Sequence, residues 1–133
     1  METSQRIIYW IARILAAVIL LQTLYFKFSG SEESRYIFTT VGMEPWGRYA
    51  VGIFELLSGA LLLINRTAWL GAGLALGLMA GAISMHLTKL GIVVLDDGGY
   101  LFFLAIVVTV CSSYVLVTDR QKVFTVLKRF SFS

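Results

Sequence analysis

Three ionisable residues stand in or beside apolar sequence, and their types allow chemistry. Glu55 lies inside "RYAVGIFELLSGALLLI", His86 inside "GAISMHLTKL", and Lys27 near the end of "LLQTLYFKFSG". A carboxylate and an imidazole in apolar surroundings can take up and deliver protons, and an ammonium can hold a developing negative charge. Ionisable groups inside a membrane span are costly, so such positions point first to function. Glu55 and His86 are therefore the candidate catalytic pair, and Lys27, Glu55 and His86 the candidate binding set for a small carbonyl compound such as a quinone. Tyr25, Phe26, Phe54 and Phe102 would supply its apolar walls. The competing reading is structural: an ion pair or hydrogen-bonded cluster that fixes the register of packed helices.

The elements that must position these residues follow from composition. Of 133 residues, 58% are hydrophobic and only 14% charged, where a soluble domain carries about a quarter charged residues. The mean hydropathy is +0.81. Apolar runs cover about 7–26, 47–64, 68–90 and 100–117, each near the roughly 20 residues that cross hydrocarbon as a helix. Backbone groups in lipid must pair within their own segment or close a barrel, and runs such as "GALLLI" and "AIVVTV" lack the alternation of barrel strands. The first run lacks a small-residue cleavage site and reads as a mature helix. The expectation is one all-α domain over residues 1–133, a four-helix bundle integral to the membrane.

Several chemistries find no support in this chain. The single cysteine, Cys111, allows no internal disulfide or dithiol pair. The single histidine, His86, allows no bis-histidine haem, and neither a metal-binding spacing nor a phosphate or dinucleotide loop is present. Nothing points to nucleic acid. Any electrons would have to come from a soluble or membrane redox partner.

Lysine and arginine placement sets orientation. With both termini cytoplasmic, the inner side collects Arg6, Arg66, Arg120, Lys122, Lys128 and Arg129, and Arg13 reads as a residue that snorkels that way or as a structural one. The outer side holds Lys27, Arg35, Arg48 and Lys89 with most of the acids, including Glu32, Glu33, Glu44, Asp96 and Asp97. Lys27 and Arg48 read as interface anchors if they are not part of a site. The short turn Asn65 to Thr67 makes the second and third spans antiparallel neighbours. The longer first outer loop, residues 27–46, reads as lying on the membrane surface. The tail, residues 118–133, mixes basic and bulky apolar residues and reads as a short amphipathic helix on the inner leaflet.

Residues three, four and seven apart share a helix face. Arg48, Gly52, Glu55 and Gly59 form one stripe of the second span, where glycines admit a close neighbour, so Glu55 should point into the bundle. Gly73, Gly77 and Gly81, continued by Ser84 and Thr88, read as a tight-packing stripe of the third span. Such glycine faces also leave room for a homodimer. "DDGG", Asp96 to Gly99, reads as a turn, and Cys111 as packing.

In order and spacing, "LYFKFSG", "GMEPWG", "ELLSGALLLI", "GAISMHL" and "DDGGYLF" resemble the DoxX and DoxX-like family of small four-helix bacterial membrane proteins, over residues 13–117. The resemblance implies that Lys27 matches the lysine closing the family's first helix and Glu55 the glutamate of its E-L-x-x-G motif. It matches His86 to a polar position, often histidine, late in the third helix. It also implies a multi-pass protein of the bacterial inner membrane. The family takes its name from a subunit of an archaeal quinol oxidase, and its relatives are associated with thiosulfate:quinone oxidoreductase or with thiol-redox complexes, which implies a quinone-linked redox component or accessory subunit. The alternative is a non-catalytic scaffold, or a binder or exporter of small hydrophobic molecules. Relatives often open the fourth helix with a glutamate where this chain has Asp97-Gly98-Gly99-Tyr100. The charge pattern predicts that a fluorescent reporter fused to the C-terminus lights up in the cytoplasm, while alkaline phosphatase fused there stays inactive; the opposite pattern would invert the topology.

Overall fold

The computed structural model describes residues 2–95 and 97–131. Its elements in chain order are α1 (Thr3–Ser29), α2 (Glu32–Thr40), α3 (Trp46–Leu63), α4 (Ala68–Met85), a π-helical turn (His86–Leu90), α5 (Tyr100–Thr118) and α6 (Arg120–Ser131). No strand occurs among the described residues. Four helices are long and apolar enough to cross a membrane, with α4 and the π-helical turn forming one span. They pack in a ring, α1 on α3, α3 on α4, α4 on α5 and α5 back on α1. The protein is an all-α, multi-pass membrane bundle.

Small residues hold the bundle together. Ala12, Ala16 and Ala17 of α1, Ala68, Ala72 and Ala75 of α4 and Ala105 of α5 are buried beside Leu20, Leu62, Val108 and Val115. Large side chains such as Ile11, Val18, Ile53, Leu70, Phe103 and Val110 point outward. Water would penalise that surface; hydrocarbon does not, and helix association there depends on close backbone packing. The α3 stripe behaves as its spacing requires. Arg48, Gly52, Glu55 and Gly59 are all buried, and a Cβ on Gly52 would lie 3.0 Å from Phe28 and one on Gly59 3.1 Å from Leu21.

The α4 stripe does not. Gly73, Gly77 and Gly81 are exposed, and a Cβ on any of them would meet nothing within 4 Å. The face one step away, Gly71, Ala72, Ala75 and Met79, is the buried one. Gly71 makes the close approach: its Cβ would lie 2.6 Å from the Leu62 nitrogen and 2.8 Å from the Ser58 carbonyl oxygen, and the Ser58 hydroxyl donates to the Gly71 carbonyl at 2.8 Å. On a helix this rich in glycine and alanine, spacing alone cannot tell which small face is packed.

Three further features refine the sequence reading. Part of the loop between the first two spans folds as α2, because Ser31 accepts the Ser34 N–H at 3.2 Å and Glu32 and Glu33 place negative charge in the first turn, where the helix dipole favours it. The tail forms α6, with Phe124 and Leu127 exposed; Phe132 and Ser133 lie outside the described residues. Arg13 does not snorkel. It is 1% exposed, donating from Nε to the Leu62 carbonyl at 2.7 Å and from Nη1 to Asn65 Oδ1 at 2.9 Å, with the Trp10 ring 3.9 Å away. The turn Asn65 to Thr67 ends α3 too early for Leu62 to find a helical donor, and Arg13 supplies it.

The two glycine environments predict opposite outcomes. Gly71→Ala should lower the thermal stability of the solubilised bundle, costing about 1–3 kcal/mol or more as an overpacked contact, whereas Gly77→Ala should leave the melting temperature unchanged or raised. Equal effects at the two positions would contradict the packing of α4 on α3.

Candidate functional site

Lys27 and Glu55 meet inside the bundle. Four residues separate Thr23 from Lys27 on α1, so both project from one face toward α3. Lys27 Nζ lies 2.7 Å from Glu55 Oε1, and the Thr23 hydroxyl bonds the other carboxylate oxygen. Glu55 is 2% exposed. Both its oxygens are thus partnered, one by charge and one by a hydroxyl, which is what makes a carboxylate tolerable at such a depth.

Arg48 frames the pair from above. Its Nη1 donates to the Lys27 carbonyl at 2.5 Å, and its Nε and Nη2 engage the Glu44 carboxylate at 2.9–3.0 Å. The guanidinium caps the end of α1, where carbonyls lack helical donors, beside Gly30 in the left-handed conformation that closes the helix. A Cβ on Gly30 would lie 2.9 Å from Arg35 and 3.2 Å from Arg48. At 4% exposure, Arg48 is a buried clamp rather than an interface anchor. Lys27, with 17% of its side chain exposed, is also committed to a partner.

Two cavities meet at this pair. The inner one, about 110 Å³, lies among α1, α3, α4 and α5 and is walled by Glu55, Met79 and Val108 among others. The outer one, about 600 Å³, opens between α1, α2 and the start of α5 and includes Gln22, Phe26, Glu33, Phe38 and Tyr100. Thr23, Lys27, Leu101 and Leu104 line both. The inner space holds roughly three or four waters at about 30 Å³ each. The outer one falls within the ~300–1,000 Å³ of small-molecule sites.

His86 stands apart and lines neither cavity. It is 5% exposed, its Nδ1 lies 2.9 Å from the Gly91 carbonyl, and its ring meets Phe102 edge-on at 5.6 Å. A carbonyl only accepts, so Nδ1 carries the proton. The imidazole ties the π-helical turn to the chain that leaves it. Among the aromatic walls expected from sequence, Phe26 lines the outer cavity, but Tyr25 and Phe54 are 68% and 47% exposed and point away from the bundle.

The start of α5, which lines the outer cavity with Tyr100, Leu101 and Leu104, is held by Asp97. Its carboxylate accepts the Val94 and Gly99 N–H groups at 3.0 and 2.8 Å and the Leu101 N–H at 3.3 Å, which fixes the start of α5 as the turn reading requires. Burial opposes that charge, yet these backbone donors, with Tyr100, hold the carboxyl below the usual carboxylate range. Asp96 lies outside the described residues. Across the cavity, burial and then the Asp97 charge push the Glu33 carboxyl above its ordinary value. No group of three or more histidine, cysteine or acidic residues able to hold a metal ion occurs among the described residues.

The DoxX family model matches residues 8–89, more than half of the chain. The chain belongs to the DoxX family. No curated protein and no solved structure matches it. Lys27, Glu55 and His86 fall within the DoxX match, while Tyr100, Leu101 and Leu104, which complete the outer cavity, fall beyond it.

Two contributors escaped the sequence reading. Thr23 was detectable as the residue one turn before Lys27. Glu33 carried no signal beyond its charge, because only the folding of α2 brings it to the cavity. The geometry makes the pair's energetics testable. Removing one partner of a buried ion pair costs about 3–5 kcal/mol, while replacing both is far milder. Lys27→Met alone should therefore lower the melting temperature more than Lys27→Met combined with Glu55→Gln; additive losses would mean the two charges do not depend on each other.

Proposed function

We propose that this DoxX protein binds a ring-sized oxygenated molecule, a quinone by class, in the outer cavity and serves as the membrane component of a redox partnership. The observation that carries the reading is the position of Lys27, which lines both cavities while paired to Glu55. An ammonium has three N–H donors, so one can serve Glu55 while another reaches a carbonyl oxygen in the outer cavity. Glu55 balances the charge of the ammonium at 2.7 Å. Phe26, Leu101 and Leu104 offer apolar contact to a ring. The outer volume suits such a head group and the inner volume does not, so Glu55 would act through Lys27 and Thr23 rather than by direct contact. His86 would position the π-helical turn rather than touch the ligand. When bound, a quinone supplies two-electron, two-proton chemistry; the electrons would come from a separate soluble or membrane protein.

The charge distribution supports placement in a bacterial inner membrane with both termini cytoplasmic. Lys27 and Arg48 are matched by Glu55 and Glu44, which deepens the basic bias of the opposite end. The alternative, a scaffold without chemistry, draws on one specific observation: Lys27–Glu55 and both arginine contacts also tie α1 to α3. Mass analysis of what co-purifies separates the two. The binding reading predicts a stoichiometric quinone with the wild-type protein and its loss from a folded Lys27→Met, Glu55→Gln double variant. Phospholipid alone in both would leave the scaffold.

A further inference from the structure

The outer cavity contains a second carboxyl group that the ion pair does not explain. Glu33 lies in the first turn of α2 and lines the cavity with Lys27. Its Oε1 is buried and has no hydrogen-bond partner among the described residues. Leaving a buried acceptor unmatched costs about 1–3 kcal/mol, more if it is charged, so a carboxyl group with one such oxygen, on a residue that lines a cavity, calls for a donor from whatever fills it.

None of the donors nearby is bonded to this oxygen. The ionisable groups that α1, α3 and the π-helical turn bring toward α2 are Lys27, Arg48, His86 and Lys89. Lys27 is taken by Glu55 and Arg48 by Glu44, His86 is held by the Gly91 carbonyl, and Lys89 is exposed. On α2 itself, Glu32 repeats the negative charge and Arg35 lies against Gly30. From the start of α5, Tyr100 lines the cavity, while Asp97 adds repulsion. The helix dipole favours the carboxylate at this position; burial and Asp97 oppose it. Those opposed influences suit a group that changes protonation state when its partner changes.

We infer that Glu33 is the second ligand contact of the outer cavity, accepting a hydrogen bond from a hydroxyl on a ring whose opposite oxygen is held by Lys27. This rests on the outer cavity being the ligand site proposed above. The ligand class is thereby narrowed to flat molecules with an acceptor at one end and a donor at the other, such as a para-substituted phenol or a quinol. When Glu33 takes up a proton it becomes a donor, and the cavity then accepts a second carbonyl or ether oxygen instead.

The test uses the full-length protein in phosphatidylcholine nanodiscs and two stable probes, 4-methoxyphenol and 1,4-dimethoxybenzene, which differ in one donor. Binding is measured by calorimetry against empty discs across a pH series. Wild-type protein should bind the phenol about tenfold more tightly than the diether at the alkaline end, the scale of one hydrogen bond to a charged group. That preference should fade as pH drops through the raised titration of Glu33. Glu33→Leu should abolish the preference at every pH, and Glu33→Gln, a milder change to the fold, should make it small and independent of pH. A preference that survives both substitutions overturns the assignment of Glu33. If both probes bind through Lys27 but show no preference, Glu33 is excluded while the cavity stands as the site. If neither binds wild-type protein, the cavity is not the ligand site and both readings fall.

Discussion

A charge inside hydrocarbon has to be matched by protein, and α1 and α3 match theirs reciprocally. Arg13 of α1 caps the carbonyl of Leu62 near the end of α3, and Arg48 of α3 caps that of Lys27 near the end of α1. Each guanidinium sits where the partner helix presents its last carbonyls and the negative end of its dipole. Between these clamps lies Lys27–Glu55. The two antiparallel helices are thus held at both ends and near one of them again, and α4 and α5 close the ring with small, apolar contacts. The two cavities share a wall made of residues of α1 and α5, and Lys27 cannot leave it without uncovering Glu55.

Spans, fold class and the inward turn of Glu55 were legible because each follows from a local rule. Long apolar runs require helices, and a stripe of Gly52, Glu55 and Gly59 identifies its own buried face. The α4 face was misread for a physical reason. Where glycine and alanine occupy nearly every position, two adjacent faces are both small, and only the neighbour's shape selects Gly71 and Ala75 over Gly73 and Gly77. Arg13 and Arg48 were read as residues reaching for water because the alternative, a carbonyl acceptor at the end of another helix, depends on tertiary placement. The outer cavity was illegible for the same reason, being made from α1, α2 and α5, three segments far apart in sequence.

The site is polarised. On one side, Glu55 is enclosed, doubly partnered and lines the inner cavity; on the other, Glu33 lines an open cleft and has one buried, unmatched oxygen. Among the described residues, Lys27 is the only cation lining either space. Such an arrangement separates the group that stabilises charge from the group that recognises the ligand. His86 and Asp97 serve this division indirectly, one holding the π-helical turn and the other the start of α5.

The Arg13 contact also bears on how the chain is made. Arg13 lies about ten residues into α1, some 15 Å along its axis, and its acceptor follows 49 residues later. During synthesis the first helix must therefore enter or border the bilayer with a guanidinium that has no carbonyl to bind. Completion of α3 ends that interval, supplying Leu62 and Asn65 together. The first helix is apolar enough to insert, at a mean hydropathy of 2.0, yet it carries a charge that it cannot match by itself and that α3 later matches: the order of translation, and not only the final packing, bears on which helix carries which arginine.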